Sequence, residues 1–249
     1  MTGSLVGVLG GVGPLATAYF LQRVVVSTEA DRDQDHVDMV VLNHATIPDR
    51  TAFVLGRSDE DPAPVLANDA RRLQRFGVDF LVMPCNTAHY FTQQVLDAIS
   101  VPFVSIIDVT VEAALARVPG LGKAGLLATA GTVASRVYHD AFAARGVQVL
   151  TPDDADQAAI STVIYDQVKA GQPADVDVLR AVAGRLVERG AGVVVLGCTE
   201  LSVAAVDHGL LDEPPFLDSM DQLVRATIVT AGHRVREERQ PRTAPVRSS

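Results

Sequence analysis

The chain nearly repeats itself. Val6-Gly7-Val8-Leu9-Gly10-Gly11-Val12-Gly13-Pro14-Leu15-Ala16-Thr17 aligns with Ala124-Gly125-Leu126-Leu127-Ala128-Thr129-Ala130-Gly131-Thr132-Val133-Ala134-Ser135. Leu81-Val82-Met83-Pro84-Cys85-Asn86-Thr87 aligns with Val194-Val195-Leu196-Gly197-Cys198-Thr199-Glu200. Gly7 and Gly125 lie 118 positions apart, Cys85 and Cys198 113 apart. Two landmarks that recur in the same order at nearly the same spacing imply two halves of similar fold. Each landmark is an apolar run that ends in a turn and leads into a helical pattern.

The rest of the chain keeps that rhythm. Strands are expected at Leu5–Leu9, Val37–Leu42, Phe80–Met83, Phe103–Ile106, Ala124–Ala128, Gln148–Leu150 and Val193–Leu196. Helices are expected from about Pro14 to Glu29, at Asp61–Phe76 with a stop at Gly77, and at Thr87–Ile99, Ser135–Arg145, Gln157–Ala170 and Ala174–Gly190. Strands that alternate with helices imply crossover connections and parallel sheets covered on both faces. The expected fold is α/β: two similar parallel-sheet domains related by a pseudo-twofold axis, with the active site in the cleft between them. Each half then brings one cysteine to the carboxyl end of a strand, where open α/β sheets bind ligands. The expected division is 1–108 for the first domain, with the Cys85 half-site, and 109–214 for the second, with the Cys198 half-site. A C-terminal helix at about 215–236 is expected to return to the first domain, and 237–249, rich in Arg and Pro, to be a disordered tail.

Composition narrows the partners. With 21 Lys+Arg against 30 Asp+Glu the net charge is −9, the wrong sign for a nucleic-acid surface. The 48 % apolar content is enough for a sizeable core. Two cysteines are too few for a disulfide scaffold or a four-cysteine zinc site. The longest apolar stretch, Leu5 to Leu21, is broken by Gly7, Gly10, Gly11, Gly13 and Pro14, so no membrane span is expected. The first residues carry no basic stretch of the signal-peptide kind. The expected location is cytoplasmic, where thiols stay reduced.

Cys85 precedes Asn86 and Thr87, and Cys198 precedes Thr199. A cysteine at a helix start meets free backbone N–H groups and the positive dipole end, which favour the thiolate. The same N–H groups can hold a carboxylate. A lone free cysteine is usually a small buried hydrophobe; two in equivalent turns of a duplicated chain favour chemistry. The six histidines, at 36, 44, 89, 139, 208 and 233, show no paired ligand spacing, so no metal site is expected. The Gly7–Gly13 segment matches a dinucleotide fingerprint poorly, because Pro14 follows and Asn43, not an acid, closes the second strand. Pyridoxal phosphate needs a Schiff-base lysine, and only Lys123 and Lys169 exist.

Four segments together carry a resemblance: Gly10-Gly11-Val12-Gly13-Pro14-Leu15-Ala16-Thr17, Ile47-Pro48-Asp49-Arg50-Thr51, Pro84-Cys85-Asn86-Thr87-Ala88-His89 and Gly197-Cys198-Thr199-Glu200. In this order they resemble the aspartate/glutamate racemase family, most of all its cofactor-independent aspartate racemase branch. The resemblance runs from residue 7 to about residue 230. It implies a homodimer, an amino-acid substrate and no cofactor. Cys85 and Cys198 would be the acid/base pair on opposite faces of the substrate. Asn86, Thr87 and Thr199 would be the donors for its carboxylate. Arg50 and Lys169 would hold a side-chain carboxylate.

Val12 stands where methionine is usual and would enlarge or dry the pocket. Ser202 stands where an apolar residue or proline is common. His89 and Glu200 are expected nearby, Glu200 either holding protons beside Cys198 or capping its helix. The function expected is interconversion of L- and D-aspartate. Alternatives are a racemase for glutamate or another amino acid, a maleate isomerase-like or malonate decarboxylase-like enzyme on the same fold, and a catalytically silent small-acid binding protein.

Overall fold

A computed structural model describes residues 3–236. The expected tail, 237–249, lies outside the described residues. Among the described residues eight strands form two four-stranded sheets. β1 (Val6–Gly10), β2 (Met39–Asn43), β3 (Phe80–Val82) and β4 (Phe103–Val104) lie in the order β2-β1-β3-β4. β5 (Lys123–Leu127), β6 (Gln148–Leu150), β7 (Val193–Leu196) and β8 (Phe216–Asp218) lie in the order β6-β5-β7-β8. Every pairing is parallel.

The register carries the repeat into three dimensions. Gly7 of β1 pairs with Leu81 of β3, and Gly125 of β5 with Val194 of β7. Those are the residues the two sequence landmarks align. In both sheets the order turns back at the first strand, β1 or β5, so a crevice opens beyond its carboxyl end and that of its inner neighbour, β3 or β7. Such switch points hold ligands in open α/β sheets.

Alternation along the strands fills three apolar clusters. Val6, Val8, Phe80 and Val82 point to a central cluster between the sheets, and so do Leu126, Val193 and Val195. Leu9, Leu81 and Met83 point to a cluster on the outer face of the first sheet. Leu127, Val194 and Leu196 do the same on the second. With both faces of a strand buried, its sequence reads as a continuous apolar run.

The central cluster is closed by an exchange of helices. The Ile106–Arg117 helix follows β4 yet packs on the Val137–Ala143 helix of the second half. The Ser219–Thr230 helix follows β8 yet packs on Pro14–Ser27 of the first half, and the two exchanged helices pack on each other.

Several expected helices are shorter or divided. Thr87–Ile99 is a 3-10 turn, Thr87–Phe91, followed by an α-helix, Thr92–Leu96. Ser135–Arg145 is divided at Arg136, which takes φ 60° between the helices Ala130–Ser135 and Val137–Ala143. Gln157–Ala170 starts earlier as the α-helix Asp154–Thr162 and continues as a π-helical stretch, Val163–Val168. The expected strand at Phe103–Ile106 stops at Val104, because Ser105 caps the helix that Ile106 begins, accepting from Asp108 N. In the 215–236 segment, Phe216–Asp218 completes the second sheet before the helix starts at Ser219.

Gly11 fixes the first crevice. Its φ is 85°, and a Cβ there would lie 2.3 Å from the His44 backbone. A residue without a side chain is the one that fits such an approach. The chain then enters the Pro14–Ser27 helix with proline at its first position, where the missing N–H costs nothing.

Candidate active site

The two switch-point crevices open into one small cavity. Val12, Asp49, Arg50, Thr51, Cys85, Asn86, Thr87, Thr129, Tyr165, Lys169, Cys198, Thr199 and Glu200 line it. Thus every expected catalytic or substrate-binding residue lines the same cavity, with Glu200, while His89 and Ser202 do not. Cys85 and Cys198 are free thiols, 8 % and 5 % exposed. That is low enough to shield them from bulk solvent.

The two turns that carry the thiols differ in build but each sets a backbone N–H against the sulfur. Cys85 leaves β3 through a tight turn in which its N–H donates to the Met83 carbonyl at 2.8 Å. The N–H of Ala88 lies against its sulfur. Cys198 caps the Thr199–Asp207 helix in an extended conformation, φ −144°, and the N–H of Glu200 lies against its sulfur. N–H groups in a helix's first turn have no intrahelical acceptor and favour negative charge.

The electrostatics of the two thiols differ. Burial pushes both pKa values up. At Cys85 the Arg50 guanidinium opposes that push more than any other group. At Cys198 the Glu200 carboxylate adds to it, so this thiol lies well above the ordinary range. Cys198 Sγ donates to Glu200 Oε2 at 3.0 Å, the geometry of a protonated thiol on an ionised acid. Thr199 Oγ1 donates to the same oxygen at 3.3 Å.

Lys169 Nζ pairs with Glu200 Oε1. Burial alone would raise the Glu200 carboxyl, but Lys169 and the hydrogen bonds from Cys198 and the backbone together more than offset it, and the group sits below the ordinary carboxylate range. Glu200 is therefore more than a helix cap: it joins the second thiol to the second cation.

Arg50 is held differently. Its Nη1 donates to the Ile47 and Pro48 carbonyls at 3.1 and 2.9 Å. Its Nε is buried and meets no hydrogen-bond partner. Asp49, the acid next to it in sequence, instead caps the Arg50–Val54 helix by accepting from Ala52 N at 2.9 Å. Among the described residues no ion pair of Arg50 is found within 4.0 Å. A cation with a buried, unmet donor on a cavity wall is a ready site for a carboxylate.

Other residues take structural partners. Asn86 Oδ1 accepts from Tyr138 and its Nδ2 donates to Ser219. Thr87 Oγ1 is 3.1 Å from Thr129 Oγ1 and 2.8 Å from Thr132 Oγ1, both in the second half. These side chains tie the halves together, which leaves mainly their backbone N–H groups for a ligand. His89 lies behind the cavity. Its Nδ1 is 2.7 Å from the Cys85 carbonyl and its Nε2 accepts from Ile106 N at 3.2 Å. Burial lowers its pKa to about 4, so it is a neutral brace near pH 7. Val12 is 3 % exposed and backs the cavity from the first-sheet cluster. Ser202 donates to Asp218, which caps the Ser219–Thr230 helix.

The sequence reading missed Tyr165 as a lining residue. It sits four residues before Lys169, the spacing of neighbours on one helix face. Its hydroxyl donates to Thr51 Oγ1 of the first half at 3.3 Å. Thr129 was also missed, although the repeat aligns it with Gly11 at the end of the first strand. Among the described residues no group of three or more His, Cys, Asp or Glu is placed to hold a metal ion. No described helix is long and apolar enough to cross a membrane.

Comparison with known proteins gives a consistent picture. A family model described as Asp/Glu/hydantoin racemase matches residues 9–227. The broad specificity amino-acid racemase RacX of Bacillus subtilis is 28 % identical over 236 residues, 91 % of this chain and 97 % of that protein. The solved Picrophilus torridus aspartate racemase superposes with a TM-score of 0.80 at 29 % identity, covering 95 % of this chain and 97 % of that one. An aspartate racemase homologue from Pyrococcus horikoshii superposes with a TM-score of 0.74 at 26 % identity, over 93 % and 100 % of the two chains.

Proposed function

The chain belongs to the Asp/Glu/hydantoin racemase family, and on that premise we propose that it interconverts L- and D-aspartate without a cofactor, using Cys85 and Cys198 as two opposed bases. The observation that carries this reading is that both buried thiols line one cavity with Arg50, a cation that has no carboxylate of its own. One sulfur acts as thiolate and takes the α-proton. The electron pair left behind spreads onto the α-carboxylate. The other sulfur, as thiol, gives its proton to the opposite face. Each turnover exchanges the roles of the two sulfurs, so the reverse reaction starts from the state the forward one leaves.

The difficulty is the charge that builds on the α-carboxylate. N–H groups aimed at the site before reaction stabilise it without reorganisation. Those of Asn86, Thr87 and Thr199 are the candidates, each beside a catalytic cysteine. Glu200 sets the starting state. By accepting from Cys198 it keeps that thiol protonated, while Arg50 makes Cys85 the readier thiolate. A bound amino acid also brings its ammonium into the cavity, which lowers the thiolate's cost further.

Arg50 and Lys169 supply the preference for a dicarboxylate. Arg50 can grip a carboxylate with two donors, while Lys169 offers a point charge that it shares with Glu200. The resemblance adds a homodimer to this reading.

The test is a panel of L-amino acids given to protein dialysed against a chelator, with no pyridoxal phosphate added. Aspartate should be racemised fastest, and alkylation of the thiols should stop it. A requirement for added metal or pyridoxal phosphate contradicts the proposal. A faster reaction with alanine or leucine contradicts the choice of aspartate.

A further inference from the structure

One buried side chain outside the cavity touches both cysteine turns. Tyr138 lies on the Val137–Ala143 helix and is fully buried. Its hydroxyl donates to Asn86 Oδ1 at 2.6 Å, and Asn86 directly follows Cys85. Its ring packs against Gly197, which directly precedes Cys198: a Cβ at Gly197 would lie 3.2 Å from Tyr138 Cε2. The hydrogen bonds then run on. Asn86 Nδ2 donates to Ser219 Oγ at 3.1 Å, and Ser219 Oγ donates to the Leu196 carbonyl at 2.7 Å. Leu196 ends β7, two residues before Cys198. Tyr138, Asn86 and Ser219 are each at most 2 % exposed, so water does not compete for these bonds and the network is stiff. Burial raises the phenol's pKa, which keeps it a donor at every working pH. Phe142 holds the ring from behind, 6.3 Å between centroids.

We propose that Tyr138 is a positioning residue that fixes the separation of the two sulfurs, acting on Cys85 through Asn86 and on Cys198 through Gly197. This rests on the two-cysteine reading above. Inversion needs both sulfurs within reach of one α-carbon at the same moment. Removal and return of a proton on one face needs only one. A loosened network therefore changes the ratio of the two events, which a general loss of active protein leaves alone.

The experiment compares wild type with Tyr138→Phe, which keeps the ring and deletes the hydroxyl. Both are incubated with L-aspartate in deuterated water. Deuterium is then counted in recovered L-aspartate, as exchange with retention, and in D-aspartate, as inversion. Misplacing a catalytic group by about 1 Å costs on the order of 10²-fold. Inversion by the variant should accordingly fall roughly 10- to 100-fold, deuterium in recovered L-aspartate, close to none early in wild-type turnover, should rise relative to inversion, and KM should change little. Ser219→Ala breaks the same chain at its far end and should shift the ratio the same way, which covers a Tyr138→Phe protein that does not fold. A ratio unchanged from wild type in the folded variants overturns the proposal alone. A wild type that exchanges no α-proton overturns the racemase reading and this proposal with it.

Discussion

Replacing either Cys85 or Cys198 by alanine is expected to lower racemisation by about 10³-fold or more. A well-placed acid or base contributes roughly 10²- to 10⁴-fold, and a two-base exchange has no second route when one partner is gone. The two variants should not be equally silent in every assay. Each keeps one sulfur, so each should still exchange the α-proton of one enantiomer, and the enantiomer should differ between them. Following the α-proton signal of separate L- and D-aspartate samples in deuterated water reads this directly. The resting asymmetry adds a finer expectation. Cys198 is held as a thiol by Glu200 and Cys85 is served by Arg50, so the variant that retains Cys85 should exchange the faster. Racemisation near the wild-type rate in either variant contradicts the assignment. Alanine fills most of the space of these small buried side chains, so both variants should fold, which a thermal melt checks.

The second large effect concerns Arg50. Charge-assisted contacts contribute about 1.5–3 kcal/mol each when well made, and ~1.4 kcal/mol is a factor of ten in rate. Arg50→Leu is therefore expected to lower kcat/KM for aspartate by roughly ten- to a hundredfold more than for asparagine or alanine, which share only the loss from taking the cation away from Cys85. Lys169→Met should show a similar loss by a mixed route. Lys169 is already paired with Glu200, so its removal also leaves a buried carboxylate unpaired beside the Cys198 thiol. That should raise the Glu200 pKa and disturb proton transfer for every substrate. Arg50 also serves the Cys85 thiolate, so side-chain recognition is read as the extra loss for aspartate over the loss common to all three substrates. Equal losses for aspartate, asparagine and alanine in Arg50→Leu would assign this cation to the Cys85 thiolate, the α-carboxylate or the fold, and not to side-chain recognition. Unchanged aspartate kinetics would place it outside the reaction.

The features that were legible in the sequence are those whose physics is local or repeated. β1 and β7 declare themselves as β-branched apolar runs because both faces of each strand are buried. The cysteine turns stand out because an apolar strand run that ends at a cysteine occurs twice. Gly77 ends its helix in the left-handed conformation, φ 95°, as a glycine in that place should.

What the sequence hid depends on contacts across long stretches of chain. Asn86 reads as a substrate donor, yet Ser219, 133 residues away, and Tyr138 take its side chain. Glu200 reads equally well as a cap until Lys169, 31 residues earlier, is seen beside it. The break at Arg136 sets the Val137–Ala143 helix, and with it Tyr138, against the Cys198 turn. An arginine with φ 60° leaves no local signature of the kind glycine leaves. β8 is three residues long, too short to show a periodicity of its own. Its place follows from symmetry with β4, at the outer edge of its sheet beside β7.

The two-base exchange is the centre of this account, and the most direct measurement of it is the fate of deuterium in the first percent of turnover. L-Aspartate is incubated in deuterated water and both enantiomers are separated and weighed. The account predicts that D-aspartate carries one deuterium at the α-carbon from the outset, while recovered L-aspartate keeps its proton, and that the converse holds from D-aspartate. A single base serving both faces would place deuterium in recovered substrate and product at equal rates, and that result would contradict the assignment of Cys85 and Cys198 to opposite faces.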